Sequence, residues 1–298
     1  MADPHSSGLS PKKVLLATDL SARSDRALDR ATQLANEWGA GLVAVHALEN
    51  QASAAQAPTY DDLPSWRRPP HPAPAVEQQI RRDIRQPVAD LRIVVTEGAA
   101  ADVILDVAER EQCDLIVVGA GGDPGLGKVS LGRTVELLIR RAPTSVLVVK
   151  SRPSGPYRHI LVGTDFTDEA RHGLEVASRL FSDAMFAVMH AFDMPYRSLL
   201  SATQLSRDFS AMEHAEIQAF VKAAELDENV RSRVLTLIEH GPPEIMMHNY
   251  VAERNADLTV IGTVGRGMLF HLLIGGHAPK IVDGVSSDVL VVRYPDSK

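Results

Sequence analysis

The 298-residue chain lacks the features that mark several classes of protein. Cys113 is its only cysteine, so no intrachain disulfide can form, which suits a reducing cytoplasm. Its longest apolar runs are far shorter than the roughly 20 residues that a membrane-spanning helix needs. The first ten residues are polar and carry no apolar core of a signal peptide. We therefore expect a cytoplasmic protein that has no membrane partner.

The chain also lacks an excess of positive charge. Its formal net charge is −7 and its isoelectric point is about 5.9. Because surfaces that bind nucleic acid are usually basic, we do not expect nucleic acid as a partner. By contrast, 45% of the residues are hydrophobic, which is enough in a chain of this length to bury two cores.

A glycine pattern occurs twice, once in each half of the chain. The spacing G-x2-G-x9-G is formed by Gly119, Gly122 and Gly132, and again by Gly262, Gly265 and Gly275. Each pattern follows a short apolar run that predicts a strand, and each leads into a predicted helix. Backbone N–H groups at a helix start carry partial positive charge, so such a junction predicts a phosphate-binding segment.

Other positions repeat at nearly the same interval. Asp19 corresponds to Asp165, and His46 corresponds to His190. A repeat of this size corresponds to a whole domain rather than to a unit of a solenoid. We therefore expect two similar domains joined by a turn-rich linker. We call them the first half, residues 10–150, and the second half, residues 157–295.

Strands and helices are predicted to alternate in both halves. Continuous apolar strands between helices are typical of a parallel sheet that is covered on both faces. The predicted fold is α/β, with two tandem Rossmann-like domains, each a five-stranded parallel sheet with helices on both faces. Ser21 and Thr167 are predicted to cap the first helix of each half. The predicted strands are 14–17, 42–45, 92–95, 115–118 and 146–149, then 160–163, 186–189, 234–237, 258–261 and 289–292.

Taken together, these motifs resemble the universal stress protein family. The resemblance depends on a strand that ends in Thr-Asp, a strand that ends in histidine, and the G-x2-G-x9-G spacing. It extends over nearly the whole chain, as two domains in tandem. Some members of this family bind ATP, so the resemblance implies ATP as a ligand, with Mg²⁺ as a possible companion. Domains of the family often pair, which implies either a homodimer or a pair within one chain.

The resemblance also implies a nucleotide site in each half. In the first half its residues are Ala17, Thr18 and Asp19 beside the ribose and base, Ala47 at adenine, Val118, Gly119, Gly121 and Gly122 along the ribose and phosphates, and Gly132, Arg133, Thr134 and Val135 at the phosphates. In the second half they are Gly163, Thr164, Asp165, Ala191, Ile261, Gly262, Val264, Gly265, Gly275, Gly276 and His277. Replacing Gly119 or Gly122 by valine is expected to crowd the phosphates.

Both halves depart from the family pattern at one position. ATP-binding members place Ser or Thr after the last glycine, whereas this chain has Arg133 and Gly276 there. Arg133 could supply a charge-assisted bond to phosphate or could fill the pocket, and Thr134 could supply the hydroxyl. Gly276 offers only its main chain, with His277 beside it.

Other motifs are weaker. Residues 122–129 resemble a phosphate-binding P-loop, but Val129 stands where that motif needs a hydroxyl for Mg²⁺. The histidines show no metal-ligand spacing, and no nucleophile is paired with a base, so we predict neither a metal site nor catalytic residues. A proline-rich insertion at about residues 51–75 is either a surface loop or a docking strip for a protein partner, with Trp66 as its anchor.

Three functions remain open at this point. The first is a stress-response protein that binds adenine nucleotide for regulation or sensing, without fast turnover. The second is an interaction module with degenerate pockets and a protein partner. The third is a slow ATP hydrolase, which needs a positioned water and a base that the sequence does not identify.

Overall fold

The computed structural model describes residues 10–49, 72–121, 131–192, 205–263 and 277–295. Most of the proline-rich insertion, Trp66 and the P-loop-like residues 122–129 lie outside these ranges. The elements of the first half are β1 (Lys13–Ala17), α1 (Ser24–Trp38), β2 (Gly41–Leu48), α2 (Ala73–Asp83), β3 (Leu91–Glu97), α3 (Ala100–Arg110), β4 (Leu115–Gly119), α4 (Arg133–Arg141) and β5 (Ser145–Val149). Those of the second half are β6 (His159–Gly163), α5 (Asp168–Leu180), β7 (Met185–Phe192), α6 (Leu205–Ala223), α7 (Glu228–Arg231), β8 (Val234–His240), α8 (Pro243–Arg254), β9 (Leu258–Thr263), α9 (His277–Gly284) and β10 (Asp288–Arg293).

The described strands form one continuous sheet in the order β3-β2-β1-β4-β5-β10-β9-β6-β7-β8. Within each half all pairings are parallel, and the order reverses direction beside β1 and β6. The halves join where β5 and β10 pair antiparallel, with Leu147 opposite Leu290. The predicted α/β class and the five parallel strands of each half are confirmed. The two predicted sheets are joined into a single ten-stranded sheet by the pairing of β5 with β10.

Apolar residues on both faces of the strands explain this architecture. In β1, Val14 and Leu16 belong to the hydrophobic core on one face of the sheet, and Leu15 and Ala17 belong to the core on the other. All four side chains are buried. A strand can be apolar at every position only when helices cover both faces, so the continuous apolar runs correctly predict a two-sided sheet.

The first helices of the two halves begin differently. Thr167 caps α5 as predicted, because its side-chain oxygen accepts a hydrogen bond from the Ala170 N–H at 3.3 Å. The prediction for Ser21 is confirmed only in part: α1 begins at Ser24, with Arg23 directly before it, but Ser21 Oγ accepts a hydrogen bond from the Ser24 N–H at 3.4 Å. In between, the chain makes a turn in which the Ser21 carbonyl accepts from the Ser24 N–H at 2.9 Å. Ser24 also turns its hydroxyl to that carbonyl and to Thr18, which holds the turn in place.

Each half also caps the last helix of the other half. Lys150, just after β5, donates from Nζ to the carbonyls of Val282 and Val285 at the end of α9. Burial lowers the pKa of Lys150 to about 8 against the opposing effect of Asp283 and Asp288, so the ammonium is still charged near neutrality.

Arg293 makes the reciprocal contact. It occupies the position of the second half that corresponds to Lys150, and its Nη2 donates to the Ala142 carbonyl at 2.7 Å, just past the end of α4. Cations at helix C-termini are favourable because they satisfy carbonyls that have no partner within the helix. Helices α4 and α9 are therefore each fixed by a residue of the opposite half.

Candidate functional site

The carboxyl ends of β1, β2 and β4 meet at one edge of the first half. Strand β1 lies between the other two, and Ala17 is opposite both Val45 and Val118. The chain leaves β1 through Thr18, whose N–H donates to the Val45 carbonyl at 3.0 Å. In doubly wound α/β folds ligands bind at this edge, where the strand order reverses. Six predicted site residues lie at the ends of these strands or directly after them: Ala17, Thr18, Asp19, Ala47, Val118 and Gly119.

His46, the residue after Val45 in β2, fixes the main chain at this edge. His46 Nδ1 lies 2.9 Å from the Thr18 carbonyl oxygen, and His190 Nδ1 lies 2.8 Å from the Thr164 carbonyl oxygen in the second half. Because a carbonyl can only accept, Nδ1 must be the donor in both rings. The repeated histidines therefore orient the peptide between Thr and Asp.

Hydrogen bonds favour the ionised form of Asp19. Its Oδ1 accepts a hydrogen bond from the Ser21 N–H at 2.9 Å. Burial alone would raise the pKa of Asp19, but hydrogen bonds from Ser21 and Ser24 outweigh it and hold the pKa below its usual value. The result is a carboxylate at the end of the central strand. In the second half, Asp165 Oδ1 accepts hydrogen bonds from both the N–H and the hydroxyl of Thr167.

The residue after each aspartate has an unusual backbone. Leu20 has a φ of 61° and Phe166 has a φ of 66°, although neither is a glycine. Such left-handed conformations are uncommon for large side chains and often accompany functional sites. The same turn therefore follows both aspartates, and in each half the carboxylate accepts a hydrogen bond from the N–H two residues later.

Two glycines bring the end of β4 against the start of α4. A Cβ on Gly121 would lie 3.4 Å from the Cα of Gly132. Gly132 precedes the first residue of α4 and gives the helix no side-chain cap. The first N–H groups of a helix have no partner within it, so α4 presents main-chain donors here. Arg133 is exposed and Thr134 half-buried at this helix start, whereas the Val135 side chain is buried in the core and leaves only its main chain for a ligand.

Gly119 and Gly262 have a structural reason for being glycine that sequence reasoning missed. A Cβ on Gly119 would lie 3.2 Å from the Arg23 carbonyl oxygen, and one on Gly262 would lie 2.1 Å from the Glu169 carbonyl oxygen. Each glycine thus lets the start of α1 or α5 approach the sheet. The expectation that Gly119→Val crowds the phosphates is therefore not a clean test, because valine would first displace α1.

The second half shows the same edge in part. Six predicted site residues lie at the ends of β6, β7 and β9 or directly after them: Gly163, Thr164, Asp165, Ala191, Ile261 and Gly262. His277 is the first residue of α9. The predicted residues Gly122, Val264, Gly265, Gly275 and Gly276 lie outside the described residues.

Serines provide the contacts that motif spacing did not reveal. Ser21 contacts Asp19 and Ser24 contacts Thr18, and their only sequence signal is that they are short polar residues near the start of a helix. Over the described ranges, His, Cys, Asp and Glu side chains form no group of three or more that could hold a metal ion. Within the same ranges, no helix has the length and apolar character to cross a membrane.

Comparison with known proteins places the chain in a family. The model of the universal stress protein family matches residues 11–150 and again residues 156–293. The two matches together cover most of the chain, so the chain belongs to the universal stress protein family, as a member with two such domains in tandem.

The chain is also similar to individual proteins and solved structures. A universal stress protein of Mycolicibacterium smegmatis strain mc(2)155 is 24% identical over 311 aligned positions, which cover 94% of this chain and 96% of the relative. The crystal structure of a universal stress protein from Archaeoglobus fulgidus aligns with a TM-score of 0.65 at 18% identity, covering 95% of this chain and 98% of that one. A universal stress protein solved in complex with cAMP aligns with 47% of this chain and 97% of its own at 27% identity, with a TM-score of 0.36.

Proposed function

We propose that the first half binds adenine nucleotide, with ATP as the ligand, and that binding serves regulation or sensing without fast turnover. Residues 10–150 and 157–295 are the two domains in this proposal. The observation that carries it is the placement of an ionised Asp19 at the same strand edge as the uncapped start of α4. One end of this edge suits a ribose and the other suits phosphate.

Each part of the edge has a role that follows from its chemistry. The Asp19 carboxylate accepts hydrogen bonds from ribose hydroxyls or helps to hold Mg²⁺. The close contact of Gly121 and Gly132 brings the backbone after β4 beside the uncapped start of α4, where main-chain N–H groups can meet phosphate oxygens. The N–H groups of the first turn of α4 and the exposed Arg133 then complement the negative charge.

Slow turnover follows from the same electrostatics. A general base works best when its pKa lies near the working pH. The pKa of Asp19 is held below its usual value, so this carboxylate is a weak base for the activation of water. The edge is therefore better suited to holding ATP than to hydrolysing it. We therefore favour regulation or sensing over slow ATP hydrolysis as the function.

An interaction module remains the second candidate function. The packing of Gly119 against Arg23, and of Gly262 against Glu169, explains two of the repeated glycines without any ligand. The second half also lacks Ser or Thr at Gly276, so the reasoning for degenerate pockets applies there first. Strands β5 and β10 already pair within the chain, so a homodimer or a protein partner would use another surface.

Asp19→Asn tests the proposed site, with Asp165→Asn as the matched variant of the second half. Asparagine keeps an oxygen for the Ser21 N–H but loses the charge that strengthens bonds to ribose hydroxyls or Mg²⁺. We expect Asp19→Asn to weaken ATP binding about tenfold or more, measured by calorimetry, since a hydrogen bond to a charged group contributes about 1.5–3 kcal/mol.

Asp165→Asn should leave that binding event unchanged. Equal affinity for wild-type protein and Asp19→Asn would contradict the site in the first half. Loss of binding in Asp165→Asn alone would move the site to the second half.

A further inference from the structure

One residue of the second half reaches the proposed nucleotide site of the first half. The Leu131 N–H donates to Asp283 Oδ1 at 3.1 Å across the junction between the halves. Leu131 comes directly before Gly132 and the start of α4, and its own side chain is buried. Asp283 lies in the last turn of α9. The peptide that leads into the proposed phosphate-binding segment is therefore held by a side chain from the other half.

The turn of α9 that carries Asp283 is itself tied to the first half. Lys150 Nζ donates to the carbonyls of Val282 and Val285, which flank Asp283 on either side. The main chain of Lys150 is fixed as well, because its N–H donates to Asp288 Oδ1 at 2.8 Å. A carboxylate on a helix turn held at both sides has little freedom to move away from Leu131, so it can act as a rigid support.

This support is not reciprocal. The repeat places Arg140 at the position of the first half that corresponds to Asp283. A guanidinium carries only donors and cannot accept a backbone N–H. Arg140 therefore cannot make the contact that Asp283 makes. This asymmetry contrasts with Lys150 and Arg293, which make equivalent contacts in both directions.

We infer that Asp283 is a positioning residue for the nucleotide site of the first half and couples that site to the second half. The inference rests on the proposed function. Phosphate-binding main-chain groups work only when they are held in place, because ordering them during binding costs conformational entropy. Asp283 removes that cost at Leu131. The second half thus supports the peptide that leads into the phosphate-binding segment of the first half.

Asp283→Ala and Asp283→Asn in the full chain test this inference. Alanine removes the acceptor, whereas asparagine keeps an oxygen for the Leu131 N–H. We expect Asp283→Ala to weaken ATP binding about tenfold, and Asp283→Asn to restore most of the affinity. Adenosine, which lacks phosphates, should bind wild-type protein and Asp283→Ala equally well. A general loss of structure would weaken both ligands and would not be rescued by asparagine.

Hydrogen exchange in the absence of nucleotide gives a second readout. Peptides that contain residues 131–135 should exchange faster in Asp283→Ala than in wild-type protein or Asp283→Asn. Equal ATP affinity in Asp283→Ala and wild-type protein would overturn the positioning role while leaving the proposed function intact. A wild-type protein that binds no ATP would overturn the proposed function and this role with it, and unchanged exchange in Asp283→Ala would overturn the support itself.

Discussion

Replacing Asp288 by alanine is expected to lower the free energy of unfolding by about 3–5 kcal/mol, because it leaves a buried cation without its partner. Asp288 is only 1% exposed, and its Oδ2 lies 3.6 Å from the Nε of Arg30, which is 4% exposed. The same carboxylate accepts from the Tyr157 hydroxyl at 2.6 Å and from the N–H groups of Lys150 and Ser151. Alanine would deprive all of these donors of their acceptor.

The other contacts of Arg30 show why this carboxylate matters so much. The Arg30 guanidinium lies over the Tyr157 ring, 4.0 Å from its centroid, and donates from Nη1 to the Gly155 carbonyl at 2.9 Å. None of these partners carries a negative charge, because burial and Asp288 raise the pKa of Tyr157 well above its usual value. Asp288 from β10 is therefore the buried negative charge that pairs with Arg30 of α1. It also accepts hydrogen bonds from Lys150 and Ser151, which follow β5.

Urea unfolding of Asp288→Ala measures this effect, with Asp106→Ala as the control. Asp106 pairs with Arg110 at 3.0 Å, but both side chains are more than half exposed, and such a pair contributes less than about 1 kcal/mol. A loss in Asp288→Ala no larger than that in Asp106→Ala would contradict the role of the buried carboxylate.

Alanine at Gly262 is expected to destabilise the protein by about 3 kcal/mol or more, and alanine at the equivalent Gly119 by roughly 1 kcal/mol. The added Cβ would lie 2.1 Å from the Glu169 carbonyl oxygen at Gly262 but 3.2 Å from the Arg23 carbonyl oxygen at Gly119. Both neighbours are backbone atoms at the start of a helix, and they cannot rotate away as the end of a side chain can. The helix itself must shift, further in the second half than in the first.

The two variants are each other's control, because the substitution and the place in the repeat are the same. Thermal unfolding should show a clearly larger fall in Tm for Gly262→Ala than for Gly119→Ala. Equal falls would mean that α5 moves away from β9 as easily as α1 moves away from β4, contrary to the contact between Gly173 and Gly262, where a Cβ on Gly173 would lie 3.4 Å from the Gly262 nitrogen.

Local patterns predicted the strands and the site edge well. The run Leu115–Val118, apolar and followed by glycine, reads correctly as a buried strand whose end opens into a loop. Because the sequence repeats, the prediction of a strand in one half could be checked against the equivalent strand in the other, as with β1 and β6. Helix ends were less predictable, because a turn separates Ser21 from α1 and the residue directly before the helix is Arg23, which gives no side-chain cap.

Contacts between the halves had no local signature. Arg30 sits on the buried side of α1, where a charge contradicts the helical pattern, and its partner Asp288 lies near the other end of the chain. Lys150 and Asp283 likewise look like ordinary surface residues until the antiparallel pairing of β5 with β10 brings the halves together. Sequence patterns report on local periodicity, so they could predict each sheet but not the residues that join the two.

Titration of the wild-type protein with ATP and Mg²⁺ by calorimetry tests the central claim most directly. The protein must first be shown to carry no bound ligand. The proposed site in the first half predicts a saturable heat signal with about one ATP for each chain. A flat trace from folded, ligand-free protein would contradict nucleotide binding and would favour an interaction module with degenerate pockets.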